Sequence, residues 1–220
     1  MNVNFYLIKK YCSILLIIIL ILTSGCASTL REYDYSALRA RNPRSILVIP
    51  PVNESIDVNA SYIYLSTVSR PLAEKGYYVF PVAVIDTFLK ENGLPTPVEM
   101  NSIPLAKIKE HIGADAVLYV HINDWGQKYQ VLSSKAIVNA NLRLVDVDSG
   151  VVLWEGTAYA QQESGNNDNS LAVKLLSAVV EQIASSIADH TPELSRIANY
   201  NAFYNDYGGL LDGPYIIKDR

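Results

Sequence analysis

The chain has 220 residues, of which 50% are hydrophobic and 18% charged, with a formal net charge of −4. That allows one compact domain with its own core and excludes a disordered, collagen-like or coiled-coil chain. The apolar surplus is local: 17 of the first 25 residues are hydrophobic, and the rest of the chain, at about 48%, has an ordinary globular composition.

Residues 1–25 read as an export signal. Lys9 and Lys10 precede an unbroken Ile/Leu run over 14–22, which gives way to Thr23, Ser24, Gly25 and Cys26. A basic patch, an apolar run and small residues are the three parts of a secretory signal. The run is too short for the roughly 20 residues that a spanning helix needs. Leu22 to Cys26 resembles the bacterial lipobox, with Thr23 where that pattern prefers leucine. The resemblance implies that Cys26 is diacylated and becomes the mature amino terminus, and two or three acyl chains anchor a protein stably. Ala27 after the cysteine implies sorting to the outer membrane, with the domain facing the periplasm. Cys12 leaves with the signal, so Cys26 remains alone and neither a disulfide framework nor a cysteine-ligated zinc site can form. Losing Lys9 and Lys10 takes the formal charge from −4 to −6, and no Lys/Arg run remains to neutralise phosphates. Nucleic acid is excluded as a partner on that ground.

Residues 26–43 are polar, mixed in charge and without apolar period, and read as a tether. An α/β domain follows over 44–190. Residues 45–49 form a β-branched buried strand closed by Pro50 and Pro51, and 52–59 a polar loop. Over 61–75 a helix places Tyr62, Leu65, Val68 and Leu72 on one face; Pro71 either kinks it or starts a second helix. A strand at 77–82, a helix at 83–92, a proline-containing loop at 94–101 and a helix at 104–111 come next. Residues 114–122 are the most continuously apolar strand and belong in the centre of the sheet. Asn123 to Gly126 then breaks the chain. From Lys135, strict alternation sets Ala136, Val138, Ala140, Leu142 and Leu144 against Asn139, Asn141 and Arg143, a half-exposed antiparallel strand. Asp148-Ser149-Gly150 turns it into a strand at 151–161, where Val152, Trp154, Ala158 and Ala160 share a face. Residues 170–188 form the clearest amphipathic helix. A tyrosine-rich tail, 191–220, packs on the domain or on a partner. The expected fold is α/β: a single mixed, mostly parallel sheet with an antiparallel hairpin, covered by helices.

No catalytic constellation is legible. There is no G-x-S-x-G elbow, H-E-x-x-H or phosphate loop, and His111, His121 and His190 stand without ligand-spaced partners, so no metal and no cofactor are expected. Asp146-Val147-Asp148-Ser149-Gly150 lacks the glycine and glutamate of a calcium loop and reads as a hairpin turn. The loop after the first strand is more suggestive, because ligands of open α/β sheets bind at the carboxyl ends of strands. Asn53, Ser55 and Asp57 could present hydrogen-bonding groups at that rim, or could simply terminate turns, with Asn59 or Ser61 capping the helix. Trp125 and Tyr129 add an aromatic surface toward the same rim, or else Trp125 anchors the core.

These residues carry a resemblance. Ser45-Ile46-Leu47-Val48 with Pro50-Pro51-x-Asn53-x-Ser55-x-Asp57-Val58, then Pro71-Leu72-Ala73-Glu74-x-Gly76-Tyr77-Tyr78-Val79 and Gly113-Ala114-Asp115-Ala116-Val117, resemble a family of bacterial outer-membrane lipoproteins of unknown function. Trp125-Gly126, Leu153-Trp154 and Tyr207-Gly208 extend the likeness over nearly the whole mature chain. It implies a fold similar to the amino-terminal domain of TolB and to the α/β domains of CsgG and LpoB. It also implies company with a CsgG-like lipoprotein in an envelope assembly or secretion complex. The expected function is therefore a non-enzymatic protein-interaction module. Its partners would be other envelope proteins, with a CsgG-like lipoprotein as one candidate, or a second copy of the chain in a homodimer. The alternatives are an LpoB-like activator of peptidoglycan synthesis and a small-ligand binder or unrecognised hydrolase.

Overall fold

The computed structural model describes residues 33–129, 134–164 and 191–216. Their elements run α1 (Ser36–Arg41), β1 (Ser45–Val48), β2 (Val52–Asn53), α2 (Ala60–Glu74), β3 (Tyr78–Val79), α3 (Val82–Glu91), α4 (Pro97–Asn101), α5 (Leu105–His111), β4 (Ala116–Tyr129), β5 (Ser134–Asp146), β6 (Val152–Ser164) and α6 (Thr191–Phe203). The six strands form one mixed sheet in the order β3-β1-β4-β5-β6, with β2 also on β4. β3 and β1, β1 and β4, and β2 and β4 pair in parallel, while the longer β4-β5 and β5-β6 ladders are antiparallel. The expected single mixed α/β sheet is what forms.

β1 has no polar face because it is covered on both sides. Ile46 and Val48 join one core with α2, α6 and Trp154; Leu47 joins another with Ile85, Met100 and Ile108 from α3, α4 and α5. Its first turn is clamped to β4. The Asp115 carboxylate accepts from the Arg44 and Ser45 amides at 2.9 and 3.1 Å, and the Asp115 amide donates to Ser45 Oγ at 3.0 Å. α2 buries Tyr64, Leu65, Val68 and Leu72, so Tyr64 takes the core position that the helical spacing assigned to Tyr62, which is half exposed. The helix begins at Ala60, one residue early, and runs through Pro71 without ending there. Gly76, at φ +83°, closes it, and a Cβ there would meet the Ile216 amide nitrogen at 2.4 Å.

Other boundaries move for identifiable reasons. The stretch read as tether is folded from Tyr33: α1 buries Leu38, and Tyr33 and Tyr35 pack on the main core. The loop at 94–101 contains α4, whose Thr96 side chain accepts from the Glu99 amide while Glu99 bonds back to the Thr96 amide. Thr96-Pro97-x-Glu99 is a capping box with proline in the first turn, strong enough to start a helix of five residues. The strand expected at 77–82 is only Tyr78–Val79. β4 does not stop at Asn123; it takes up an extra residue as a bulge between Ile122 and Asp124 and continues to Tyr129. A second bulge beside Leu144 and Val145 leaves Val152 partly exposed and starts the buried face of β6 at Leu153 and Trp154. The Asp148-Ser149-Gly150 turn forms as expected, with Asp146 accepting from the Ser149 amide and hydroxyl.

The tail packs on the domain. Its first half is α6, which buries Leu194, Ser195, Ala198, Asn199, Ala202 and Phe203 against the sheet and α2. Polar groups on the two helices satisfy one another inside the core. Tyr64 Oη donates to Asn199 Oδ1 at 2.5 Å, Asn199 Nδ2 donates to Thr67 Oγ1 at 3.1 Å, and Thr67 Oγ1 meets Ser195 Oγ at 2.6 Å. The chain then returns past Trp154, whose Nε1 donates to the Gly208 carbonyl at 2.8 Å, and lies along the end of α2. The helix expected at 170–188, His190 and Cys26 lie outside the described residues.

Candidate interaction and groove sites

The rim loop springs from β2, which pairs Val52 with His121 and Asn53 with Ile122. Its polar side chains turn inward on their own backbone. Asn53 Oδ1 accepts from the Ser55 amide at 2.9 Å and Asn53 Nδ2 donates to the Asp57 carbonyl at 2.8 Å. Ser55 Oγ accepts from the Asp57 amide at 3.3 Å, and Asp57 Oδ1 from the Asn59 amide at 2.9 Å. These are Asx and Ser turns, side chains imitating the backbone partners that the loop lacks. Asn53, Ser55 and Asp57 therefore hold the loop's own backbone. Ser61 donates to the Pro51 carbonyl at 2.9 Å and is buried, and Asn59 sits at the helix N-cap without a side-chain cap bond.

What the loop does present is apolar. Ile56 is 99% exposed and Val58 81%. Burying one such side chain is worth about 1.5–3 kcal/mol, nearly all of it unrealised for Ile56 and most of it for Val58. The pattern hid this, because Ser-Ile-Asp-Val alternates like a strand and its polar residues looked like the functional ones.

Trp125 does not belong to the rim. It is 2% exposed and stands edge-on to Tyr64 at 6.5 Å, because the bulge at Asn123 adds one residue and makes Ile122 and Trp125, three apart, share the core face. Its Nε1 has no hydrogen-bond partner among the described residues. Tyr129 closes β4 opposite Ser134. The structure thus separates Trp125 from the rim loop that the sequence grouped it with.

A second feature lies on the face of β4, β5 and β6 beside α4 and α5: a groove of about 600 Å3 whose lining includes Asn101, Tyr119, His121, Asn141, Arg143 and Glu155. His121 Nε2 lies 2.9 Å from Glu54 Oε1. The Arg143 guanidinium stands 5.8 Å from the Tyr119 ring centre and has no carboxylate partner among the described residues. Burial pushes the Tyr119 phenol above its usual range, and Arg143 partly opposes that. Alternation in β5 had already put Asn141 and Arg143 on one face; nothing local announced Tyr119 and His121 beside them. Among the described residues no three His, Cys, Asp or Glu side chains gather to hold a metal.

One mixed sheet with helices on both faces, an apolar loop tip and a shallow polar groove define an α/β domain, and comparison with known proteins then places it. Residues 33–215 match the family described as "Putative lipoprotein GNA1162-like", and the chain belongs to that family. It is 40% identical to the "Putative lipoprotein NMB1124/NMB1162" of Neisseria meningitidis serogroup B over 190 residues, 86% of this chain and 88% of that protein. The crystal structure of lipoprotein GNA1162 from Neisseria meningitidis is 44% identical, covers 66% of this chain and all of its own, and superposes with a TM-score of 0.54. The carboxy-terminal domain of Escherichia coli LpoB is 19% identical over 55% of this chain and 84% of its own, with a TM-score of 0.38. No helix among the described residues is long and apolar enough to cross a membrane.

Proposed function

We propose that this lipoprotein is held in the outer membrane by acyl chains on Cys26 and that its α/β domain is a non-enzymatic docking module facing the periplasm. It serves an assembly or secretion complex of the envelope, where a CsgG-like lipoprotein is one partner of the right kind. The observation that carries this reading is the loop tip. Two branched apolar side chains, Ile56 and Val58, stand in solvent on a loop whose own polar groups are spent on rigidifying it. A pre-set apolar tip loses little entropy when it enters a pocket, which is how a small contact gains affinity. A photo-crosslinker at Ile56 in living cells should capture one discrete envelope protein, lost on Val58→Asp, while the same probe at exposed Tyr207 captures none. Equal capture from both positions, or none from Ile56, removes the reading.

A second reading has its own support. Arg143 over Tyr119, with Asn141 and the His121–Glu54 pair alongside, is a lining suited to a small polar ligand. Thermal stabilisation of the full chain by members of a carboxylate and sugar panel, abolished by Arg143→Ala, would favour it; no stabilisation across the panel dismisses it.

A further inference from the structure

β6 is an edge strand of 13 residues, the last in the sheet order and paired only with β5 among the described strands. In an antiparallel ladder the backbone N–H and C=O of alternate residues point toward the neighbour, and those of the residues between point away. The outward set is identified by Glu155, whose amide donates to Tyr33 Oη at 2.7 Å, off the β5 side. Counting by two from Glu155, Thr157, Tyr159 and Gln161 also turn their amides and carbonyls outward, and no described residue outside β5 bonds to them. Among the described residues one outward position of this edge, Glu155, is capped, and Thr157, Tyr159 and Gln161 have no backbone partner on that side.

Edges exposed to solvent are normally guarded by lysine, proline, a bulge or an inward charge. From Gly156 to Gln161 the sequence is Gly-Thr-Ala-Tyr-Ala-Gln, with none of these. The one irregularity in the β5-β6 ladder lies at its other end, beside Val145 and Val152. The open stretch is also uncharged on both faces, in a chain with a formal net charge of −4 that otherwise repels its own copies.

We infer that β6 pairs antiparallel with β6 of a second copy of this chain, about a two-fold axis at Tyr159, to make one sheet continuous through both copies. Tyr159 then faces Tyr159 of the other copy, and Thr157 faces Gln161, so about six backbone hydrogen bonds form among uncharged residues, and Glu155 falls opposite Glu163 of the other copy just beyond them. The pairing ends at Thr157 because the next outward amide, Glu155, is occupied by Tyr33. Ala158 and Ala160, buried on the α6 face, are small enough to let the two strands meet without a clash of side chains on that face. The surface is independent of the Ile56 loop, so either can fail without the other.

The test uses the full chain in its envelope and purified in detergent. Two Cα atoms in a hydrogen-bonded antiparallel pair lie about 5.5 Å apart, within disulfide range. Tyr159→Cys should give a disulfide-linked homodimer on oxidation, Thr157→Cys alone should give none, and Thr157→Cys with Gln161→Cys should give it again. Tyr159→Pro removes an outward amide that β5 does not use, a position where an edge strand tolerates proline, and should weaken dimerisation by at least about tenfold with the far-UV spectrum kept. Ala158→Pro, on the β5 side, should unfold the strand instead. A single-chain mass for the wild type, a dimer unchanged by Tyr159→Pro, or a Tyr159→Cys disulfide to a different protein would each overturn the inference.

Discussion

At the residue scale, the polar cluster between α2 and α6 is where single atoms matter most. Tyr64 is completely buried, and its hydroxyl is satisfied by Asn199, which in turn serves Thr67. Tyr64→Phe leaves Asn199 Oδ1 without its donor in the core, a loss of about 1–3 kcal/mol. Urea unfolding at pH 7 should show it as a lower midpoint with an unchanged slope. The same residue sets an alkaline limit. Burial raises the Tyr64 phenol far above the usual tyrosine range, and burial with nearby Asp212 raises Tyr77 as well. A raised phenol binds its proton more tightly in the folded state, so its contribution is whole below about pH 10 and declines as pH rises beyond the unfolded value. Stability should fall above pH 10, and Tyr64→Phe, though weaker at pH 7, should fall less steeply; parallel curves would show that the buried phenol does not govern the slope.

At the scale of elements, the carboxy-terminal segment is a strap as well as a helix. The Gly213 amide donates to the Lys75 carbonyl at 2.6 Å, Tyr215 to Gly76 at 3.0 Å, and Tyr77 Oη to the Leu211 carbonyl at 2.8 Å. Gly76 accepts this crossing only because it has no Cβ and sits at positive φ. Gly76→Ala should therefore cost more than the roughly 1 kcal/mol of the conformational strain alone, through displacement of the strap, read as proteolytic nicking after Leu211 in the folded protein. The elements legible in the sequence were those decided by local pattern: β1 and the first half of β4 by continuous apolarity, β5 by alternation, the Asp148 turn by its residues. Those that were missed depend on distant contacts. α1 and α6 have too few apolar residues to announce themselves, since α1 packs on β6 and Asn199 bonds to Tyr64, partners more than a hundred positions away. The bulge at Asn123 decided the candidate site for the same reason: a one-residue insertion is invisible in the pattern, yet it moved Trp125 from the rim to the core and left the rim to Ile56 and Val58.

For the molecule as a whole, the decisive length is the one between anchor and fold. The described structure begins at Tyr33, which packs on the core, so if Cys26 carries the lipid, the seven steps between them reach at most about 25 Å. That is shorter than the tether of 26–43 first allowed, and it bears on which partner the domain can serve. A partner in the inner membrane needs a long reach, whereas docking onto another protein in the same membrane does not. Two variants separate these. Cys26→Ala should shift the protein from the membrane pellet to the soluble periplasmic fraction, with loss of the palmitate label. Inserting a flexible Gly/Ser segment of about 20 residues before Tyr33 adds roughly 25 Å of mean reach while keeping the anchor. If the partner shares the membrane, the lengthened chain should keep or lose part of its Ile56 crosslink, because effective concentration falls as a tether grows past the span it must cover. A crosslink that appears only in the lengthened chain would mean that the natural tether is too short for that partner, and would assign the captured protein to the other membrane.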